Sequence, residues 1–185
     1  MPLILFNKPF QVMCQFSPHA TRETLANYIN IPNIYPAGRL DADSEGLLLL
    51  TDDGRLQHAI SHPDRKQKKT YIAQVDGIVK SSTMQRLRNP LDLGDFVSQP
   101  CHAAEIETPN WLWERHPPIR ERLDCPTSWL AITLSEGKNR QVRRMTAAVD
   151  LPTLRLIRIA IGPFSLADYP LMPGEWREVS PSQMK

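Results

Sequence analysis

Apolar positions along the chain fall into short runs of two periodicities. Strand-like runs occur at Leu3–Phe6, Leu47–Thr51, Thr70–Val75, Trp129–Leu134, Leu154–Ile161 and Glu175–Val179. They are of strand length, and Gly, Pro, Asn or Asp punctuates the chain between them. Thr70–Val75 alternates, as a half-buried strand does, whereas Leu47-Leu48-Leu49-Leu50 is unbroken and predicts a strand buried on both faces. Spacings of three and four predict helices over Arg22–Ile29, Arg55–Ile60, Ser82–Leu87 and Asn139–Val149. In the last of these, Val142, Met145 and Val149 form a core-facing stripe. Strands interleaved with short helices predict a mixed α+β fold. Thr108–Pro126 holds four prolines together with Trp111 and Trp113, and reads as a long surface loop.

Composition narrows the class without naming a function. With 185 residues, 41% hydrophobic and 23% charged, the chain has the make-up of an ordinary globular protein. No apolar run has the length of a membrane span, and the first residues lack a secretory signal pattern. Cys14, Cys101 and Cys125 are odd in number and scattered, which favours a reducing, cytoplasmic setting over a disulfide framework. A net charge of +2 argues little, but its distribution argues more. Arg65-Lys66-Gln67-Lys68-Lys69 carries four cations in five residues, and Glu136–Arg158 has a net charge of +4, while Cys101–Pro126 has −2. Two basic stretches suit a face that meets phosphates, although solvated charge runs look the same.

The candidate chemistry centres on Gly38–Thr51, where Asp41, Asp43 and Glu45 lie between Arg39 and the leucine strand. A rigid strand that delivers carboxylates to its end, beside a cation favouring their charged form, suits a nucleophile or base. A solvated acidic turn and a structural ion pair explain the same residues. The Asp-x-Asp-x-Glu-Gly spacing imitates half of a calcium loop, but its twelfth position is Asp52 and Leu47–Leu50 suit a strand. Asp41 with Asp43 or Glu45 also meets the requirement of a two-carboxylate glycosidase, which leaves the basic stretches unexplained.

Glu136–Met145 runs from a strand through a Gly turn into a helix, with Arg140, Arg143 and Arg144 on one face. Such arginines can bind anions bidentately. Gly137-Lys138 imitates the end of a P-loop, but Asn139 follows and the earlier glycine is missing, which excludes that motif. Lys69 and Tyr71 share one face of a strand, where a cation and a ring can hold a phosphate and a base. Cys101, His102, His116 and Cys125 lack the paired spacing of a zinc site, and no Gly-x-Ser-x-Gly hydrolase motif occurs.

Taken together, Asn7-Lys8-Pro9, Gly38–Thr51, Lys69-Thr70-Tyr71, Glu136–Met145 and Leu154–Pro163 resemble, in order, the motifs of the RsuA-type pseudouridine synthases. Ordered motifs of this length are far more specific than any one of them. The resemblance spans nearly the whole chain. It implies a pseudouridine synthase catalytic fold: a curved, mostly antiparallel mixed sheet, flanking helices and a central RNA-binding cleft. Residues 1–185 are then one catalytic domain in two halves, one bearing Asp41 and the other Arg143. The S4 RNA-binding domain that precedes it in many relatives is expected to be absent. The implied activity is isomerisation of a specific uridine to pseudouridine in bacterial large-subunit (23S) ribosomal RNA. No metal or organic cofactor, no membrane and a monomeric state are expected.

In that resemblance Asp41 takes the place of the catalytic aspartate, Arg143 pairs with it, Tyr71 stacks on the uracil, and Arg39 holds the opened RNA strand. Leu156 is assigned to the face of the base opposite Tyr71. From the charge map, Lys69, Lys138, Arg140, Arg144 and Arg158 are expected at the RNA backbone. A non-catalytic RNA-binding or ribosome assembly factor is the rival reading, and it predicts loss of Asp41, Tyr71 or Arg143, all of which are present.

Overall fold

In the computed structural model, which describes residues 2–62, 67–119 and 125–184, the apolar amino terminus forms β1 (Leu3–Lys8). After a short β2 (Tyr35–Pro36), the leucine run lies inside β3 (Glu45–Thr51), followed by α1 (Gly54–Ser61). Next come β4 (Lys69–Asp76), α2 (Ser81–Arg88), β5 (His102–Ile106), β6 (Thr127–Leu134) and α3 (Gln141–Ala148). The chain continues through β7 (Thr153–Ile161), β8 (Phe164–Ser165) and β9 (Trp176–Val179). Two compact units result, one from residues 1–67 and 157–185, the other from 68–156.

In the first unit β1 lies between β3 and β9, antiparallel to both, with Phe6 opposite Leu48 and Ile4 opposite Leu50. Glu45 and Gly46 of β3 run parallel to Ile157 and Arg158 of β7. Every residue of β1 and β3 is buried, which explains why both lack alternation. Ile4, Phe6, Leu48 and Leu50 pack on one face with Leu25, Ile29, Ile34 and Leu40. Asp53 starts α1 as its N-cap, accepting from the Arg55 and Leu56 amides at 2.8 and 3.3 Å.

In the second unit β6 lies between β4 and β5, antiparallel to both: β4 pairs with it from Lys69 opposite Leu134 to Asp76 opposite Thr127, and β5 pairs with its far side. Helix α3 buries Val142 and Met145, with Val149 at its end, against Tyr71, Ile132, Leu134 and Leu156. The strand pairings are thus mixed in the first unit and antiparallel between β4, β5 and β6 in the second, with three α-helices among the described residues, an α+β architecture.

The Arg22–Ile29 expectation is corrected: only a single 3-10 turn, Leu25–Asn27, forms there. The Asn27 carboxamide accepts from the Thr24 amide at 2.8 Å, and Leu25 and Ile29 reach the core from an otherwise irregular segment. In the proline-rich loop Trp113 is buried, while Trp111 stays 51% exposed. Part of that loop, 120–124, and Arg65 and Lys66 of the first basic run lie outside the described residues. Among the described residues no helix is long and apolar enough to cross a membrane.

Candidate active site

Asp41 sits on a turn immediately before β3, closed by the Ser44 amide donating to the Asp41 carbonyl at 3.1 Å. Asp41 and Asp43 are half-buried, and Arg39 is exposed. Glu45 differs from the expected acidic turn, because it is the first residue of β3 and is buried. The apolar strand thus begins two residues earlier than the leucines suggest.

Two buried cations hold this turn from beneath. Lys8 ends β1 with 0% exposure, and its Nζ donates to the carbonyls of Pro9 and Val12 at 2.8 Å each and of Ala42 at 3.4 Å. The Gln11 amide reaches the same Ala42 carbonyl at 2.7 Å. Arg158 is 3% exposed. Its Nε donates to the Leu47 carbonyl at 2.8 Å and its Nη1 to the Arg39 carbonyl at 3.3 Å. This corrects the expected place of Arg158 at the RNA backbone, since a guanidinium enclosed this way does not face phosphate. Cys14 lies among Arg158, Lys8 and Arg39, and burial pushes its thiol up.

Burial also pushes the Lys8 amine down from 10.5 to about 8, against the pull of Cys14, Glu45 and Asp43 and with the help of Arg158. Because the native value lies below the unfolded one, the native state binds fewer protons between about pH 8 and 10.5. Stability from this group is therefore present in full above about 10.5 and is lost as pH falls through about 8. Urea unfolding at pH 7, 9 and 10.5 should show wild type gaining on Lys8→Met by up to about 3 kcal/mol as pH rises. A gap independent of pH overturns this account of Lys8.

In the second unit Lys69 and Tyr71 share one face of β4, as their spacing requires. The Lys69 side chain lies along the Gly137 turn, its Nζ 3.8 Å from where a Gly137 Cβ would stand. Tyr71 and Leu156 are 8% and 5% exposed and belong to one apolar cluster with Val142 and Met145. Arg143 is half-buried on α3, its Nη1 near the Thr153 carbonyl at 3.4 Å. Lys138 and Arg140 are exposed, Arg140 in a left-handed conformation (φ 51°) that caps α3.

Arg144, expected at the RNA backbone, is engaged within the second unit. Its guanidinium is bound to Asp95 and the Leu93 carbonyl and lies 4.9 Å from the Phe96 ring centre. That guanidinium in turn holds the Asp95 carboxyl below its ordinary range. Two residues to which the sequence reading gave no task build the turn itself. The Glu136 carboxylate accepts from the Gln99 amide at 2.8 Å and from the Gln141 side chain, whose Oε1 accepts from the Lys138 amide at 3.0 Å. Their placement on either side of Gly137-Lys138 was the signal available in sequence.

Residues 2–148 match the RNA pseudouridylate synthase family. The chain is 48% identical over 177 residues to "Ribosomal large subunit pseudouridine synthase E" of Vibrio parahaemolyticus, covering 96% of this chain and 73% of that protein. To the protein of the same name in Xanthomonas campestris pv. campestris it is 51% identical over 177 residues, covering 95% and 94%. A crystal structure of a pseudouridylate synthase aligns with 99% of this chain and 72% of that one, with a TM-score of 0.79 and 28% identity.

Proposed function

Because the chain belongs to the RNA pseudouridylate synthase family, we propose that it converts one uridine of large-subunit ribosomal RNA to pseudouridine with Asp41 as its catalytic carboxylate. The observation carrying the assignment to Asp41 is a half-buried carboxylate on a turn whose backbone two buried cations hold. An anion so fixed is poised for attack or proton removal without reorganising.

The reaction is an isomerisation. The bond from ribose C1′ to uracil N1 breaks, C1′ joins uracil C5, the C5 hydrogen leaves as a proton, and N1 gains one. Atoms and electrons balance within the nucleotide and solvent. The target base must leave its stack to reach a half-buried carboxylate, at a cost of about a few kcal/mol. Phosphate contacts offset that cost, and we assign them to the exposed Arg39, Lys138 and Arg140, together with Lys69. The roles of Tyr71 as stacking ring and Arg143 as counter-ion to Asp41 rest on their motif positions, as does that of Leu156. The substrate is an RNA of the bacterial cytoplasm, and one copy of the chain suffices for the chemistry.

The test is carbodiimide-dependent reverse-transcription stop mapping on unmodified large-subunit RNA, free and in precursor particles. A single enzyme-dependent stop is expected, and it names the uridine. Absence of a stop on both substrates overturns the proposal.

A further inference from the structure

Arg158 sits opposite Gly46 in the parallel pairing of β7 with β3, enclosed by the first unit. The two carbonyls it binds, Arg39 and Leu47, bracket the segment that carries Asp41. A guanidinium is planar, always charged and donates in fixed directions, so it fixes the spacing of two acceptors where a point-charge ammonium cannot. Lys8 holds the same segment between those carbonyls, through Ala42.

Stability alone is a poor account of this cation. Burying a charge costs hydration that its contacts must offset, and apolar residues of similar volume commonly serve as well or better. The Arg158 Nη2 is moreover buried without an acceptor among the described residues. A costly, incompletely satisfied cation whose met donors both go to the flanks of one short segment is accounted for by the geometry of that segment.

We propose that Arg158 is a positioning residue for Asp41, holding the 39–47 segment on β7 so that the carboxylate keeps its height and direction at the reacting nucleotide. The proposal rests on the reading of Asp41 as the catalytic carboxylate. A displacement of about 1 Å at such a group costs on the order of a hundredfold in rate.

The test compares Arg158→Lys and Arg158→Met with Ile29→Ala, a core change in the same unit outside the 39–47 segment, which shares an apolar cluster with Leu40 but makes neither of the carbonyl bonds of Arg158. For each, melting temperature, affinity for a large-subunit RNA transcript and single-turnover rate at saturating enzyme are measured. Arg158→Lys keeps the charge but not the two-acceptor span, and its single-turnover rate should fall about ten- to a hundredfold with RNA affinity within about twofold. Arg158→Met, which removes the cost of the buried charge, should stay folded and lose at least as much rate. Ile29→Ala should lose stability but keep its rate within about twofold.

Wild-type turnover in either arginine variant while Asp41→Asn is inactive overturns the positioning role alone. An equal rate loss in Ile29→Ala reduces Arg158 to general scaffolding and also overturns it. Weakened RNA binding at an unchanged rate makes it a phosphate contact instead, again against the proposal. Turnover by Asp41→Asn itself defeats the underlying reading.

Discussion

Asp41→Asn is expected to remain folded and bind RNA with wild-type affinity, while its single-turnover rate falls at least about a thousandfold. The change is nearly isosteric, and the backbone bond that closes the turn, from the Ser44 amide to the Asp41 carbonyl, does not involve the side chain. The Lys8 and Arg158 contacts to this segment likewise go to main-chain carbonyls. What the amide loses is the anion. A neutral carboxamide neither attacks a sugar carbon or a uracil ring nor takes a proton from ribose, so every route open to a carboxylate closes together. Tritium at uracil C5 is released once per turnover, which makes the rate measurable without knowing the target site. Retained turnover defeats the assignment of Asp41. An unfolded variant defeats the claim that the turn is held by its backbone.

The fold was legible wherever burial imposes a period. Leu47–Leu50 could hardly be anything but a strand covered on both faces, and Val142, Met145 and Val149 marked the inner stripe of α3. Failures came where a few buried residues imitate or hide a period. Leu25 and Ile29, four apart, satisfy a helical template although only one 3-10 turn forms, because two anchors suffice to pin an irregular segment. β5 escaped notice because His102-Ala103-Ala104-Glu105-Ile106 offers Ala103 as its sole fully buried position.

The cations were the least legible feature. An arginine reads the same in sequence whether it reaches solvent, as Arg140 does, or a main-chain carbonyl, as Arg158 does. Tertiary enclosure decides, and a linear charge count cannot see it. A finer signal was nonetheless present. Arg155 and Arg158 both interrupt an apolar strand, and both are buried, Arg155 donating to the Trp113 carbonyl at 2.9 Å and so tying the proline-rich loop to β7. A charge inside an apolar run predicts an internal acceptor better than it predicts an external ligand.

Gly46→Ala should be the most damaging single substitution for stability, lowering it by about 4 kcal/mol or more. Gly46 has φ +105°, outside the range that L side chains adopt, so a strain of about 1–3 kcal/mol comes before any contact is counted. A Cβ there would then stand 2.3 Å from the Arg158 carbonyl oxygen, 2.9 Å from the Arg158 nitrogen and 2.9 Å from Ile157 Cγ2. Two of those three atoms are backbone, which cannot swing aside, so β3 and β7 must separate. Their separation would break the parallel pairing on which the placement of Arg158 under the Asp41 segment depends. For a domain stabilised by about 5–15 kcal/mol, such a loss leaves a protein poorly folded at 37 °C. Gly54→Ala is the internal control. Nothing among the described residues lies within 4 Å of its Cβ position, at the start of α1, and it should melt within a few degrees of wild type, if anything higher. Equal melting temperatures for Gly46→Ala and wild type would show that the two strands do not approach as closely as the glycine implies.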